Sequence, residues 1–133
     1  MKQILVIESE FGEEDTFATE IGRELNGFAD MKGKAQVVIC EGGDGALDAI
    51  RNADEKDELF LLDTVSGTKD VAIIDDIKTL DEHGGEDSHD FDLIYLLQEM
   101  RDKEIKRKVR VIAVPGGGDA EAVATQVRNL VSQ

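Results

Sequence analysis

The sequence predicts an α/β fold, a three-layer α/β/α sandwich with a mostly parallel five-stranded sheet. Short uninterrupted apolar runs recur along the chain, as in strands buried on both faces. Segments with apolar residues at helical spacing alternate with them, the pattern of strand and crossover helix. Each run is closed by an acid or a glycine-rich turn, the punctuation expected at strand ends.

Ile4–Ile7 is the first run, ended by Glu8. Phe17, Ile21 and Leu25 follow at four-residue spacing, and Asn26-Gly27 is a stop signal. Ala35–Cys40 is the second strand, closed by 41-EGGDG-45, with Ala46–Ala53 a short helix turning Leu47 and Ile50 inward. Leu59–Leu62 is the third strand, with Asp63 at its carboxyl end. Val71–Ile74 is a further strand, followed by the polar stretch 75-DDIKTLDEHGGEDS-88. Phe91–Arg101 reads as a helix with Leu93, Leu96, Leu97 and Met100 toward the core. Val109–Val114 is the last strand, and 115-PGGGD-119 leads into a helix using Val123, Val127 and Leu130. At 133 residues, with no repeat or linker, residues 1–133 are expected to form one domain.

A net charge of −15 excludes the basic surface that nucleic acid or an anionic membrane requires. The start MKQILVIESE is too soon charged for a signal peptide, and no segment approaches the apolar length of a membrane span. Cys40 is the single cysteine, so neither an internal disulfide nor a thiolate zinc site can form. The expectation is a soluble cytoplasmic protein without membrane insertion. Composition leaves its oligomeric state open.

In open α/β sheets, ligands bind at the carboxyl ends of the strands. Here those ends carry 8-ESEFGEED-15, 41-EGGDG-45, 63-DTVSG-67 and 115-PGGGD-119. The acids of 12-GEED-15 suit the first turn of a helix, where the macrodipole favours them, or hold a metal. Asp63 ends a buried run, so it either accepts N–H bonds in the following turn or lines an active-site crevice. His89 has three readings: a solvated first-turn residue, a general acid or base, or a metal ligand kept neutral by a helix N-terminus. His83 lies in the polar loop and reads as solvated. Neither glycine loop fits a phosphate-binding pattern, and Asp44 and Asp119 are expected as helix N-caps. The basic cluster 101-RDKEIKRKVR-110 suits a helix C-terminus. Cys40 closes an apolar strand and reads as inert packing, and no GxSxG elbow exists.

Taken together, ILVIE, the acid pair opening the first helix, VVICEGGDGALD, LFLLDTVSG and SHDFDLIYLL occur in an order that resembles the hydrogenase maturation endopeptidases. The resemblance runs to about Pro115, and LLDTVSG followed by SHDFDL is its most specific part. It implies an α/β/α fold and a cytoplasmic peptidase that removes a C-terminal extension from a nickel-loaded NiFe-hydrogenase large-subunit precursor. It also implies that Asp15, Asp63 and His89 are the catalytic, metal-contacting residues, with Glu14 the substitute for Asp15 if the alignment shifts by one. Two carboxylates and an imidazole suit a borderline divalent ion such as nickel. The nickel is supplied by the substrate, and no cofactor is tightly bound to the free protein.

The chain departs from the family pattern where 8-ESEF-11 replaces the usual glycine–asparagine turn, and where Thr16 and Ala18 replace glycines. These changes bear on activity more than on fold, so an inactive relative is the alternative within the family. Outside it, the runner-up is a response-regulator-like, magnesium-binding phosphoacceptor centred on Asp63. Against that stands 113-AVPGGG-118, where the expected lysine is missing. A non-catalytic binding module using the acidic surface is the third reading.

Overall fold

Ile4 to Ile7 are four successive residues with no exposed surface, which requires a strand covered on both faces. The computed structural model describes residues 1–8, 16–28, 35–64, 70–74, 91–115 and 117–132. Its elements are β1 (Lys2–Glu8), α1 (Thr16–Gly27), β2 (Ala35–Glu41), α2 (Gly42–Asn52), β3 (Glu58–Thr64), β4 (Ala72–Ile74), α3 (Phe91–Asp102), β5 (Val109–Val114) and α4 (Ala120–Val131). The strands form one five-stranded sheet in the order β2-β1-β3-β5-β4. All pairs are parallel except β4 with β5, which is antiparallel, with Ile73 opposite Ile112.

Side chains alternate across the sheet and divide the core in two. On one face, Ile4, Val6, Phe60, Leu62, Ile112 and Val114 pack against Phe17, Ala18, Ile21 and Leu25 of α1 and Val123, Ala124, Val127 and Val131 of α4. On the other, Leu5, Ile7, Leu59, Leu61, Val109 and Val111 meet Ala46, Leu47 and Ile50 of α2 and Leu96, Leu97 and Met100 of α3. Leu61 has no exposed surface, and truncating such a leucine to alanine costs about 2–5 kcal/mol. Gly22 lets α1 approach the sheet closely, since a Cβ there would stand 3.1 Å from both Ile39 Cδ1 and Val6 Cγ2.

Polar contacts fasten the ends. Lys2 Nζ donates to the Val131 carbonyl, placing a cation at the α4 C-terminus where the helix dipole favours it. Arg128 lies 4.8 Å from the centre of the Phe28 ring, joining α4 to the end of α1. The first strand is also tied to the turn before β3. The N-terminal ammonium pairs with Asp57 Oδ1 at 3.0 Å, and Gln3 Nε2 donates to Asp57 Oδ2 at 2.8 Å. These contacts hold the Asp57 carboxyl below its usual range, the Gln3 hydrogen bond contributing most.

The fold class expected from sequence is the one observed, with three differences of detail. α2 begins at Gly42 rather than Ala46, because Gly42 takes a φ of +64° and turns the chain directly from β2 into the helix. Asp44 therefore stands inside the first turn, and the N-cap position falls to Glu41, which makes no side-chain cap bond. In α4, Val131 is buried and Leu130 only half-buried, because the inward stripe runs Val123, Ala124, Val127, Val131.

Candidate active site

β3 extends past its apolar run to Thr64, so Asp63 lies within the strand and is only 1% exposed. Burying a carboxylate costs several kcal/mol unless it is paired or hydrogen-bonded. Asp63 Oδ1 accepts the N–H of Thr64 at 2.9 Å. The segment 65-VSG-67, whose N–H groups were the other expected donors to Asp63, lies outside the described residues. Thr64 was not singled out from sequence. It is 3% exposed, and its hydroxyl has no hydrogen-bond partner among the described residues. Only the threonine's position beside Asp63 at a buried strand end signalled it.

Strand alternation assigns Asp63 to the face of Leu59 and Leu61, the layer of α2 and α3, and Thr64 to the layer of α1 and α4. Asp63 is opposite Ala113 on β5, while β1 runs alongside as far as Val6 opposite Leu62. The site thus opens at the carboxyl end of the central strands, where the fold class places ligands.

The start of α3 belongs to the same end. A short connection leads from Asp102 to Val109 at the amino end of β5, so the helix runs back from the carboxyl end. Tyr95 confirms this placement, since its hydroxyl donates to Asp44 Oδ1 in the first turn of α2, just after β2 finishes. This hydrogen bond, with burial and the negative charges of Asp44 and Glu99, pushes the Tyr95 phenol up to about 12. β4, being antiparallel, runs from Ala72 opposite Ala113 toward the amino end of β5, reaching Val111 at Ile74. Residues 75–90, which join β4 to α3, lie outside the described residues, and in the sequence His89 precedes that helix by two residues. α1, which Glu14 and Asp15 directly precede, begins at the same end on the opposite face. Asp15, Glu14 and His89 themselves, like His83, lie outside the described residues, so Asp63 is the candidate ligand whose surroundings are known. No group of three metal-binding side chains comes together among the described residues.

The other candidates resolve as follows. Cys40 is 4% exposed, and burial pushes its thiol up to about 11, so the nucleophilic thiolate is disfavoured. Asp44 is the acceptor for Tyr95 instead of a cap, whereas Asp119 caps α4, accepting from the N–H groups of Glu121 and Ala122. The basic cluster lies toward the far end of the sheet. Only its first residues belong to the end of α3, and Arg107 instead donates to the carbonyls of Ala53, Asp54 and Asp57.

No protein-family description matches the sequence, and no curated protein matches it by sequence. Two solved structures do match the fold along nearly the whole chain. The hydrogenase maturating endopeptidase HybD from E. coli is 13% identical, with a TM-score of 0.64 over 98% of this chain and 91% of that one. The [NiFe] hydrogenase maturation protease HybD from Thermococcus kodakarensis is 12% identical, with a TM-score of 0.59 over 98% and 95%. The fold is that of these proteases. It differs from the response-regulator type, whose doubly wound sheet has the order 2-1-3-4-5. Here an antiparallel strand occupies the edge beyond β5. No helix among the described residues is long and apolar enough to cross a membrane.

Proposed function

We propose that this chain is a cytoplasmic endopeptidase that removes the C-terminal extension of a nickel-loaded NiFe-hydrogenase large-subunit precursor. The observation that carries the reading is Asp63: a carboxylate 1% exposed at the carboxyl end of the central strand, the end of the sheet at which α1 and α3 begin. A group so costly to bury serves chemistry more readily than stability. Asp15, or Glu14 in its place, and His89 complete an oxygen–oxygen–nitrogen set suited to nickel. The nickel arrives as part of the substrate, so the free protein needs no resident cofactor. Once the precursor docks, the ion is a Lewis acid available to polarise the scissile carbonyl. The protein's own contribution is to hold Asp63 rigidly: Thr64 N–H fixes one carboxylate oxygen, and the buried strand fixes the backbone.

Purified protein mixed with nickel-loaded precursor is expected to shorten it, as seen by mass spectrometry. Asp63→Asn keeps the bond to the Thr64 N–H but removes the charge, and it should lower the cleavage rate by about 100-fold or more. His89→Ala should do the same, and precursor without nickel should remain uncut. A precursor left intact by the unmodified protein refutes the processing activity. A stable acyl phosphate on Asp63, formed with a small phosphodonor and magnesium, would instead establish a phosphoacceptor.

A further inference from the structure

β2 closes one side of the sheet, and among the described residues it pairs only with β1, along its whole length from Ala35 to Glu41. Among the described residues its other edge therefore has no pairing strand, and alternate backbone N–H and C=O groups face that side over seven residues. Soluble proteins usually guard such an edge with a lysine, a proline or a very short strand. The opposite edge follows that rule, since β4 has three residues. Along its first six residues β2 does not, because 35-AQVVIC-40 contains neither charge nor proline and the strand's one charge is Glu41 at its end. It also keeps apolar surface in view: Val37 and Val38 are half-buried and Ile39 is 40% exposed. An unguarded, partly apolar strand of this length is a template for strand addition.

We propose that the outer edge of β2 seats an extended, cationic segment of the precursor as an added strand beside the active site; this rests on the precursor-processing reading above. Charge selects the occupant. The helices flanking β2 expose Glu20, Glu24, Asp44 and Asp48 against Arg23 and Arg51, and Glu41 ends the strand. With a net charge of −15 over the whole chain, a second copy is repelled and a basic segment attracted. Position supplies the link to catalysis, because β2 ends where Gly42 turns into α2, at the same end of the sheet as Asp63. Three strand spacings separate an added strand from β3, roughly 14 Å, a span that about four extended residues cross. The bound strand and the scissile bond are thus adjoining parts of one chain.

Hydrogen exchange on the full-length chain tests the edge directly. The probes are a short synthetic peptide of alternating lysine and valine, its glutamate–valine counterpart, and the protein alone at low and high concentration. The lysine peptide is expected to slow exchange within residues 35–41 by about tenfold, and the glutamate peptide to leave it unchanged. No slowing with the lysine peptide overturns the proposal, and so does slowing that depends on protein concentration without peptide, which would assign the edge to a second copy. Cleavage kinetics supply the second measurement. Ile39→Lys and Ile39→Glu disturb the same apolar contact and differ in charge, so their comparison is independent of any loss of packing. KM for the nickel-loaded precursor should be at least about threefold higher for the lysine variant than for the glutamate variant, with kcat alike in the two. Equal KM values overturn the proposal. Should the unmodified protein never cut the precursor while the lysine peptide still protects β2, the processing reading fails and the cationic strand site stands.

Discussion

Arg107 offers a sharp test of what the basic residues of this acidic chain do. Its guanidinium donates to the Ala53 carbonyl at 3.0 Å, to the Asp57 carbonyl at 2.8 Å, and to the Asp54 carbonyl. Those three acceptors belong to the turn between α2 and β3, so one side chain closes the loop that feeds the central strand. The bonds to Ala53 and Asp57 are part-buried, and the one to Asp54 is exposed. Truncation leaves the carbonyls free to rehydrate, so the loss is the net worth of the bonds rather than a full desolvation penalty. Counting about 1 kcal/mol for each part-buried bond and little for the exposed one, Arg107→Ala should cost about 2 kcal/mol. For a chain of this size that lowers Tm by about 6 °C. Arg107→Lys keeps the charge, but a single ammonium cannot span three carbonyls, so it should recover less than half of the loss. Urea unfolding with an unchanged m-value measures the difference, and hydrogen exchange should quicken locally in residues 53–58. A loss under about 0.5 kcal/mol, or full recovery by lysine, would show that only a diffuse charge near the α3 C-terminus mattered.

Three further outcomes follow from the same structure. The chain has one tyrosine and no tryptophan, so tyrosinate absorbance reports Tyr95 alone. Its native midpoint should lie near 12 and move toward the ordinary 10.0 in Asp44→Asn. Because folding raises this pKa, the stability it contributes is full below pH 10.0 and is lost as pH climbs through about 12. Cys40 should resist alkylation at about pH 8 until denaturant is added, since the thiolate is the reactive form. Its raised pKa likewise withdraws stability between the ordinary 9.0 and about 11, and rapid labelling of the native chain would contradict that burial. α3 ends with Ile105 N–H on the Met100 carbonyl and Glu104 N–H on the Arg101 carbonyl, with Glu104 at a φ of 55°. This is a Schellman arrangement with glutamate where glycine is favoured, so Glu104→Gly should raise stability by about 1 kcal/mol in urea unfolding.

The strands were readable because burial on both faces leaves no alternation to interpret: Ile4–Ile7 and Leu59–Leu62 are apolar throughout, and each residue is buried. Asp63 was readable for the same reason, as an acid that such a run can tolerate only at its end. Strand direction was not readable. Val71 to Ile74 would look the same in either sense, yet β4 runs antiparallel to β5. The start of α2 was missed because glycines imply a turn, whereas Gly42 turns the chain and Gly43 is already in the helix. Contacts between distant residues escaped altogether. Tyr95 and Asp44 are 51 positions apart, and nothing local in either segment announces the other.

The candidate site divides along the same line. What local sequence signalled, a carboxylate at a buried strand end, is what the structure bears out at Asp63, with 1% exposure and a backbone N–H holding one oxygen. The ligand set drawn from resemblance depends on segments whose order in the chain says little about their meeting in space. Topology supplies part of that link. α1 and α3 both begin at the carboxyl end of the sheet, on opposite faces, with β3 between them. In the sequence Glu14 and Asp15 directly precede α1 and His89 precedes α3 by two residues, so each candidate adjoins a helix start at the Asp63 end of the sheet. A metal held there would bridge the two helical layers across the strand end, whereas ligands drawn from one layer would leave Asp63 flanked on a single side. Asp15→Ala and Glu14→Ala, compared for nickel-dependent cleavage, distinguish the α1-side ligand. Equal, undiminished activity in both would remove that layer from the site and leave Asp63 and His89 acting from the α2–α3 side alone.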